Sequence, residues 1–318
     1  MQARNWAQQA LDLTDAGFAP ASADASFRRY FRLLADDGAS SWIVMDAPPG
    51  LENSAPFVRI AGLLQAAGLH VPTVLQADLQ RGFLLLTDLG RQTYLGVLNA
   101  DNADALFGDA LRALVQMQRA APSDNLPAYD RALLLRELEL FAQWFVQRHL
   151  QRQWTSAQAQ DWQQVCEVLV ESALAQPQVF VHRDYMPRNL MHSSPNPGVL
   201  DFQDAVRGPV TYDAVCLFKD AFLSWPEARV HGWLNDYRRL AQTAGIPLPQ
   251  DFRRAADWMG LHRHLKVLGI FARICHRDGK PHYLQDAPRF VRYVGAVAAQ
   301  YAEMAPLQRL FDQLGLGA

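Results

Sequence analysis

Lysine is scarce in this chain and absent from its first two thirds. The three lysines are Lys219, Lys266 and Lys280, and the other basic residues are arginines dispersed along the sequence. No basic run develops, and the formal net charge is −2. This composition lacks the basic stripe typical of nucleic-acid-binding proteins, so we expect no nucleic-acid partner.

Cysteine and long apolar runs are also scarce. Cys166, Cys216 and Cys275 are widely spaced and form no C-x-x-C pair, which argues against a disulfide framework and against a zinc site. No apolar run approaches the length of a membrane span, and the N-terminal segment is amphipathic rather than apolar. We therefore expect a cytoplasmic protein without membrane association and without an obligate protein partner.

The predicted elements divide the chain into a small sheet region and a larger helical region. Residues 1–90 combine short β-branched and aromatic runs with two helical stretches, whereas nearly everything after Thr93 has helical periodicity. We predict an α+β protein with two lobes, a small antiparallel-sheet lobe over residues 1–90 and a larger helical lobe over 91–318. The predicted helices are 3–16, 56–68, 101–120, 130–150, 155–174, 211–224, 227–244, 251–276 and 287–305, and the predicted strands lie within 18–34, 42–45, 71–77 and 83–87.

The stretch 179–205 is the exception to the helical pattern and carries the strongest chemical signal. A short apolar run leads to Asp184; Asn189 follows five residues later and Asp201 seventeen residues later. The Pro- and Gly-containing segment 193–198 predicts a hairpin turn that brings Asn189 and Asp201 together. Amide and carboxylate oxygens are ligands for a hard cation such as Mg²⁺. Asp184 is then placed to accept a proton from a hydroxyl group.

This spacing resembles the catalytic loop and D-F-G segment of protein kinases, with Asp201-Phe202-Gln203 in place of Asp-Phe-Gly. The small-molecule branch of that fold, the aminoglycoside phosphotransferase family, is the nearest match. The resemblance implies a bilobal kinase-like fold, ATP and Mg²⁺ as cofactors, Asp184 as catalytic base, and Asn189 and Asp201 as metal ligands. Arg188 is a candidate to neutralise the transferred phosphoryl group. The alternative, ordinary turn-forming polar residues, requires three separate matches by accident.

Two features usual in kinases are missing from the nucleotide-binding region. The first turn, 22–26, contains no glycine, and the third strand carries Met45 and Asp46 where a lysine is expected. We expect arginines to grip the phosphates instead, because a guanidinium group binds phosphate oxygens in a bidentate manner. Alternation along a strand places Arg28 and Arg29 on opposite faces. The candidates for nucleotide binding are Ser26, Arg28, Arg29 and Arg32.

The segment 84–89 is typical of the connection between kinase lobes, where backbone groups bind the adenine and apolar side chains cover its faces. Leu86 and Asp88 are the candidate nucleotide-binding residues there.

The charge of the C-terminal part constrains the acceptor. Residues 205–318 contain 15 basic and 10 acidic residues, which disfavours a polycationic aminoglycoside and favours a neutral or anionic acceptor. Asp184, Asp204 and Arg207 are the candidate acceptor-binding residues. Asp204 is equally suited to assist the metal or to cap the following helix.

Six sequence blocks narrow the family further. The blocks are D-A-S-F-R-R-Y-F-R (24–32), V-M-D-A-P-P (44–49), L-T-D-L-G (86–90), H-R-D-Y-M-P-R-N-L (182–190), G-P-V-T-Y-D (208–213) and R-D-G-K-P (277–281). Together they resemble the bacterial anomeric N-acetylmuramate/N-acetylglucosamine kinases of cell-wall recycling. The resemblance implies ATP-dependent phosphorylation of the C1 hydroxyl of an amino sugar. Another small-molecule kinase of the same family, or a non-catalytic nucleotide-binding regulator, is the alternative.

Overall fold

The computed structural model describes residues 2–23, 27–35, 38 and 40–317. It confirms the predicted α+β class, with an antiparallel sheet near the N-terminus and a predominance of helices after it. The chain forms two compact units. The first consists of Met1–Pro122 and His182–Ala205, and the second of Ser123–Val181 and Val206–Ala318. Within the described ranges, no helix is both long enough and apolar enough to span a membrane.

The first unit is built on a five-stranded sheet in which all neighbouring strands are antiparallel. The strands are β1 (Gly17–Ala23), β2 (Arg29–Leu34), β3 (Ser41–Asp46), β4 (Val74–Asp78) and β5 (Phe83–Thr87). Their spatial order is β1-β2-β3-β5-β4, so β5, the last of the five in sequence, lies inside the sheet.

The two faces of this sheet differ in chemistry. Helix α1 (Gln2–Ala10) packs on one face, where Trp6 joins a buried apolar cluster with Val44 and Leu85. Alternation along the strands places the neighbouring residues on the other face. There the directly opposed partners Arg32, Ile43 and Leu86 form a row across β2, β3 and β5. This second face contributes to the candidate site.

The predicted hairpin between Asn189 and Asp201 is confirmed. Leu190 pairs with Val199, and Met191 pairs with Gly198. The strands after β5 are β6 (Gln178–Val181), β7 (Leu190–Met191), β8 (Gly198–Val199) and β9 (Val206–Pro209).

The second unit is mainly helical, and β6 and β9 form a short antiparallel pair within it. Helices α2, α3 and α4 belong to the first unit, and α5 to α11 belong to the second. A π-helical segment, Phe141–His149, continues directly from α5. The helices after α1 are α2 (Ala55–Ala66), α3 (Tyr94–Val97), α4 (Ala103–Ala120), α5 (Arg131–Leu140), α6 (Ser156–Leu174), α7 (Tyr212–Phe218), α8 (Glu227–Thr243), α9 (Phe252–Asp278), α10 (Ala287–Ala298) and α11 (Ala305–Leu314).

Three predicted helices end differently in the structure. The first ends at Ala10 rather than near residue 16, because Asp12 adopts a left-handed backbone conformation (φ 53°). The helix predicted over 211–224 ends at Phe218. The helix predicted over 287–305 stops at Ala298, and α11 follows with Pro306 in its first turn, a position that proline favours.

Gly82, in the turn before β5, is expected to be a strong stability determinant. Its φ is +76°, its carbonyl accepts a hydrogen bond from the Ala47 N–H at 2.9 Å, and an added Cβ would overlap the Ala47 carbonyl. Gly82→Ala should lower the free energy of unfolding by about 2 kcal/mol or more, measured by chemical denaturation.

The matched control for this glycine is Gly62, in the interior of α2. A Cβ on Gly62 meets no atom within 4 Å, so Gly62→Ala should raise helix stability by about 0.5–1 kcal/mol. Equal effects of the two substitutions would contradict the close-approach argument for Gly82.

Candidate active site

His182 is a buried hydrogen-bonding scaffold at the start of the catalytic loop. Its Nε2 lies 2.9 Å from the Leu200 carbonyl, which can only accept, and the Asp184 N–H donates to Nδ1 at 3.2 Å. One neutral tautomer satisfies both bonds. Burial lowers the pKa of His182 and outweighs the opposing charges of Asp184 and Asp201. The ring therefore links Asp184 to the far arm of the hairpin without carrying charge.

The structure brings the candidate base and the candidate metal ligands together. Asn189 Nδ2 donates to the Asp184 carbonyl at 2.9 Å and to Asp201 Oδ2 at 3.3 Å. Gln203 Nε2 donates to the other carboxylate oxygen, Oδ1, at 2.8 Å. Because the amide nitrogen makes both bonds, the Asn189 oxygen is the atom suited to a cation. An amide oxygen beside a carboxylate is the donor chemistry that a hard divalent ion requires.

Two residues of this loop have a left-handed backbone that is unusual for non-glycine side chains. Arg183 has a φ of 76° and Asp201 a φ of 63°. Each such conformation costs about 1–2 kcal/mol. Strained positions of this kind concentrate at functional sites, where the surrounding structure holds them. Arg183 directly precedes the candidate base Asp184, and Asp201 is itself a candidate metal ligand.

An open cavity of about 260 Å³ lies within the first unit and is lined in part by the candidate metal ligands Asn189 and Asp201. Phe57 and Phe202 pack together with ring centroids 4.9 Å apart. The lining combines mostly apolar side chains with several polar and charged ones, as expected for a site that holds a nucleotide base and its phosphates. The apolar lining includes Ile43, Phe57, Pro72, Leu86, Leu89, Met191, Leu200 and Phe202, and the polar lining includes Tyr30, Arg32, Asp88, Arg188, Asn189 and Asp201.

Arg32 and Asp88 form a buried ion pair in the lining of this cavity. Arg32 donates to both carboxylate oxygens, from Nε at 2.5 Å and from Nη2 at 2.9 Å, and also to the Gly90 carbonyl at 2.6 Å. Ser41 Oγ donates to the same carboxylate at 2.8 Å. Burial raises the pKa of Asp88, but the bonds from Arg32, the Gly90 N–H and Ser41 outweigh it and hold the pKa below its usual value. The Arg32 guanidinium thus binds the segment that follows β5.

Breaking this pair from one side should be strongly destabilising. The Arg32 and Asp88 side chains are only 10% and 5% exposed. Asp88→Leu leaves a buried guanidinium without its partner and should cost about 3–5 kcal/mol of unfolding free energy. The double variant Arg32→Met/Asp88→Leu should recover most of that loss. A double-variant cost as large as that of the single variant would contradict the ion-pair account.

The pair also predicts the direction of a pH effect. A carboxylate with a depressed folded-state pKa stabilises fully above the unfolded value of about 4, and the stabilisation is lost as the pH falls through the folded value. The stability difference between the wild type and Asp88→Leu should therefore shrink as the pH falls below about 4.

The other two candidate arginines lie in different surroundings. Arg28 is 11% exposed and pairs with Glu52 at 3.3 Å, whereas Arg29 is 63% exposed and pairs with Asp46, its cross-strand neighbour, at 2.5 Å. Burial lowers the pKa of Arg28, but Tyr30, Glu52 and Asp201 outweigh it and raise the pKa. Arg28 is therefore electrostatically coupled to Asp201, one of the two candidate metal ligands.

The remaining candidates are dispersed. Arg188 is exposed and lines the cavity, and Asp204 is exposed in a turn of the first unit. Arg207 is exposed on β9 of the second unit, where its backbone N–H and carbonyl bond Pro127 and Tyr129. Ser26 lies outside the described residues.

Sequence reasoning missed Glu52 and the apolar cavity walls. Glu52 bonds the Phe27 N–H at 3.1 Å in addition to pairing with Arg28. An isolated glutamate before a helix carries no motif, so only the position of Arg28 identifies its partner. The walls contributed by Phe57 and Phe202 follow from packing rather than from local sequence.

Asp184, Asn189 and Asp201 lie together beside a mostly apolar cavity and an antiparallel sheet, an arrangement typical of phosphotransferases with a kinase-like fold. The family model for APH, the phosphotransferase enzyme family, matches residues 17–258, and the chain belongs to this family.

Relatives and solved structures agree with this family. A Pseudomonas putida protein named N-acetylmuramate/N-acetylglucosamine kinase is 60% identical over 301 residues, covering 94% of this chain and 88% of that protein. The Pseudomonas aeruginosa protein of the same name is 60% identical over 302 residues, covering 94% and 89%. The ADP-bound aminoglycoside phosphotransferase APH(2'')-Ib shares the fold, with a TM-score of 0.60 at 14% identity over 92% of this chain and 97% of that one.

Proposed function

We propose that this phosphotransferase uses ATP to phosphorylate the anomeric C1 hydroxyl of N-acetylmuramate, N-acetylglucosamine or both, in peptidoglycan recycling. The observation that carries the proposal is the 60% identity, across nearly the whole chain, to proteins named for these two amino sugars. The product is a sugar 1-phosphate. We further propose that the enzyme is cytoplasmic and acts without nucleic acid, membrane or an obligate protein partner.

Asp184 orients the acceptor hydroxyl and accepts its proton as the phosphoryl group is transferred. Because phosphoryl transfer has a loose transition state, positioning and charge neutralisation account for most of the catalysis. Asn189 and Asp201 are the residues that would hold Mg²⁺, which supplies charge neutralisation to the phosphates when bound. Gln203 fixes the orientation of the Asp201 carboxylate through its 2.8 Å bond. Arg188 adds positive charge at the cavity wall.

Arg28 is the arginine best suited to replace the missing phosphate-binding lysine. In kinases that lysine is held by a glutamate, and Arg28 is held by Glu52 in the same way. Arg28 is also coupled to Asp201, whereas Arg32 is committed to Asp88 and Arg29 to Asp46. The third-strand position opposite Tyr30 is occupied by the fully buried Met45, which cannot bind phosphate.

The variant that tests this assignment is Arg28→Met. Loss of a charge-assisted contact to phosphate should raise KM for ATP by about tenfold or more, because such a bond contributes about 1.5–3 kcal/mol. Arg29→Met, at the exposed first residue of β2, is the matched control and should leave KM for ATP within about twofold of the wild type. Equal effects of the two variants would contradict the assignment to Arg28.

The base of the nucleotide is assigned to the apolar part of the cavity. Leu86 contributes an apolar wall, and Asp88 fixes the adjoining backbone through Arg32 and the Gly90 N–H.

Asp204 and Arg207 stay candidates for acceptor binding, together with Asp184. We also keep the proposed lobes, 1–90 for nucleotide covering and 91–318 for catalysis and acceptor binding.

A C1-blocked substrate tests the proposed reaction. ATP consumption should be observed with N-acetylglucosamine or N-acetylmuramate and should be absent with the methyl glycoside of N-acetylglucosamine, in which C1 carries no free hydroxyl. Equal consumption with the free sugar and the glycoside would place the phosphate elsewhere on the ring. No consumption with either free sugar would favour a different acceptor for this family member.

A further inference from the structure

The hairpin formed by β7 and β8 carries the candidate metal ligands at its open end, and its pairing is short. Its ladder consists of two residue pairs, and residues 192–197 lie between the inner pair. At the open end, the Leu200 N–H donates to the Asn189 carbonyl at 2.9 Å. A two-stranded hairpin by itself is at best marginally stable. The positions of Asn189 and Asp201 therefore depend on contacts between the hairpin and the rest of the first unit.

Backbone groups from two neighbouring segments bind the arms of this hairpin. The His192 N–H donates to the carbonyl of Gln92, between β5 and α3, at 2.8 Å. The Val199 N–H donates to the carbonyl of His70, between α2 and β4, also at 2.8 Å. Both arms are thus attached to the first unit. The turn beyond these bonds, 193–198, is held by side chains.

His70 also binds the turn through its side chain. Its Nδ1 lies 2.6 Å from the Pro195 carbonyl oxygen. Because a carbonyl can only accept, Nδ1 carries a proton and donates this bond. Ser193 Oγ donates to the same carbonyl at 2.9 Å and lies 3.2 Å from Nδ1. His70 therefore contacts the hairpin twice, through its backbone carbonyl and through its ring.

Asp109, on α4, holds the next residue of the turn. Asn196 Nδ2 donates to Asp109 Oδ2 at 2.6 Å. Hydrogen bonds to an ionised carboxylate are about twice as strong as bonds between neutral groups. The other carboxylate oxygen, Oδ1, accepts from Arg112 on the same helix. The turn is thus fixed at two consecutive residues by side chains from separate parts of the first unit.

We propose that His70 and Asp109 are positioning residues for the metal site: by holding the turn 193–198, they keep Asn189 and Asp201 in the arrangement that binds Mg²⁺ and the nucleotide phosphates. Neither His70 nor Asp109 lines the nucleotide cavity, so both act through the hairpin. Groups that orient metal ligands typically contribute about 10- to 100-fold to metal affinity. This inference rests on the metal role given to Asn189 and Asp201 in the proposed function.

Hydrogen exchange followed by mass spectrometry tests the hold on the turn without any ligand. His70→Leu keeps an apolar side chain of moderate size but removes the donor to Pro195. Amide exchange in the segment 189–201 should become about tenfold faster, the effect of losing one hydrogen bond. Exchange in β3 of the same variant should keep its wild-type rate and serves as the internal reference.

The consequence for the metal site is measured as the Kd for Mg²⁺·ADP by calorimetric titration, which needs no acceptor. His70→Leu and Asp109→Ala should each weaken this binding about tenfold. His70→Asn offers a side-chain N–H close to the position of Nδ1 and should restore most of the affinity. Thermal melts of every variant separate loss of binding from loss of folding.

Arg112→Met is the matched control for Asp109→Ala. It removes the other partner of the Asp109 carboxylate but leaves the bond between Asp109 and Asn196. The Arg112 side chain is 65% exposed, and its pair with Asp109 lies at the surface, where such pairs contribute little. Amide exchange in 189–201 and the Kd for Mg²⁺·ADP should both keep their wild-type values in Arg112→Met.

Three results would overturn the proposal. The first is wild-type exchange and wild-type Kd in folded His70→Leu and Asp109→Ala. The second is faster exchange with an unchanged Kd, because the two residues would then act on stability alone. The third is an equal loss of affinity in His70→Asn and His70→Leu. If the variants shift exchange and Kd as expected but the wild type phosphorylates no amino sugar, the proposed function fails and the positioning role stands.

Discussion

Asp184→Asn is expected to lower kcat by about two to four orders of magnitude, the range for loss of a positioned base. The amide cannot accept the hydroxyl proton, but it keeps the size of the side chain. The backbone bonds of this residue to His182 and Asn189 do not involve the carboxylate. KM for ATP should therefore change little, and steady-state kinetics with the preferred amino sugar provides the measurement.

Asp124→Asn is a suitable control for this variant, because Asp124 is an exposed carboxylate in the second unit. It should have wild-type kinetics. An Asp184→Asn enzyme with kcat within threefold of the wild type would remove Asp184 from the reaction and contradict the proposed mechanism.

Asp201→Asn is expected to have the second large effect, a fall of about 10²–10³ in kcat at fixed Mg²⁺, because the proposed metal site would lose its carboxylate and with it electrostatic stabilisation of the transferred group. Gln203→Ala should cost only about 10- to 100-fold in metal affinity, since Gln203 acts by orienting Asp201. Rates measured across a Mg²⁺ titration distinguish the two effects. The Gln203→Ala loss should be recovered at high Mg²⁺, and the Asp201→Asn loss should not.

The same Mg²⁺ titration can contradict the proposed metal site. If Asp201→Asn and the wild type show the same rate at every Mg²⁺ concentration, the pair formed by Asn189 and Asp201 does not hold the metal. Equal Mg²⁺ dependence in Gln203→Ala alone would leave the metal pair intact and remove the orienting role of Gln203.

The catalytic hairpin could be predicted from the sequence because its determinants are local. Turn-forming residues between positions 193 and 198 close the hairpin, in which Leu190 pairs with Val199 and Met191 with Gly198. This pairing places Asn189 Nδ2 3.3 Å from Asp201 Oδ2. The neutral scaffold role of His182 also follows from local sequence, since its partners lie within the same loop and hairpin.

The partners of the arginines could not be predicted, because they depend on contacts distant in sequence. Arg32 reaches Asp88 across 56 residues only because β3 and β5 are neighbours in the sheet. The surroundings of Arg28 and Arg29 differ as predicted, but Arg28 precedes β2, so strand alternation is not the cause. Nothing in the local sequence indicates that Glu52 would hold Arg28.

Helix continuity was the least predictable feature. The apolar spacing over 130–150 fits one helix, yet the backbone changes to π geometry at Phe141. Next to that change, α9 packs so closely that a Cβ on Gly269 would overlap the Leu140 carbonyl. Such a tertiary contact leaves no periodic signal. The break between α10 and α11 could have been predicted from the sequence, because Pro306 is typical of the first turn of a helix.

The most direct test of the central claim is ³¹P NMR of the product formed from ATP, Mg²⁺ and each amino sugar. The account predicts a phosphorus resonance coupled to the C1 proton of the sugar, which identifies the 1-phosphate. A phosphate coupled to any other ring or side-chain proton would contradict the anomeric assignment while leaving the phosphotransferase family unchanged.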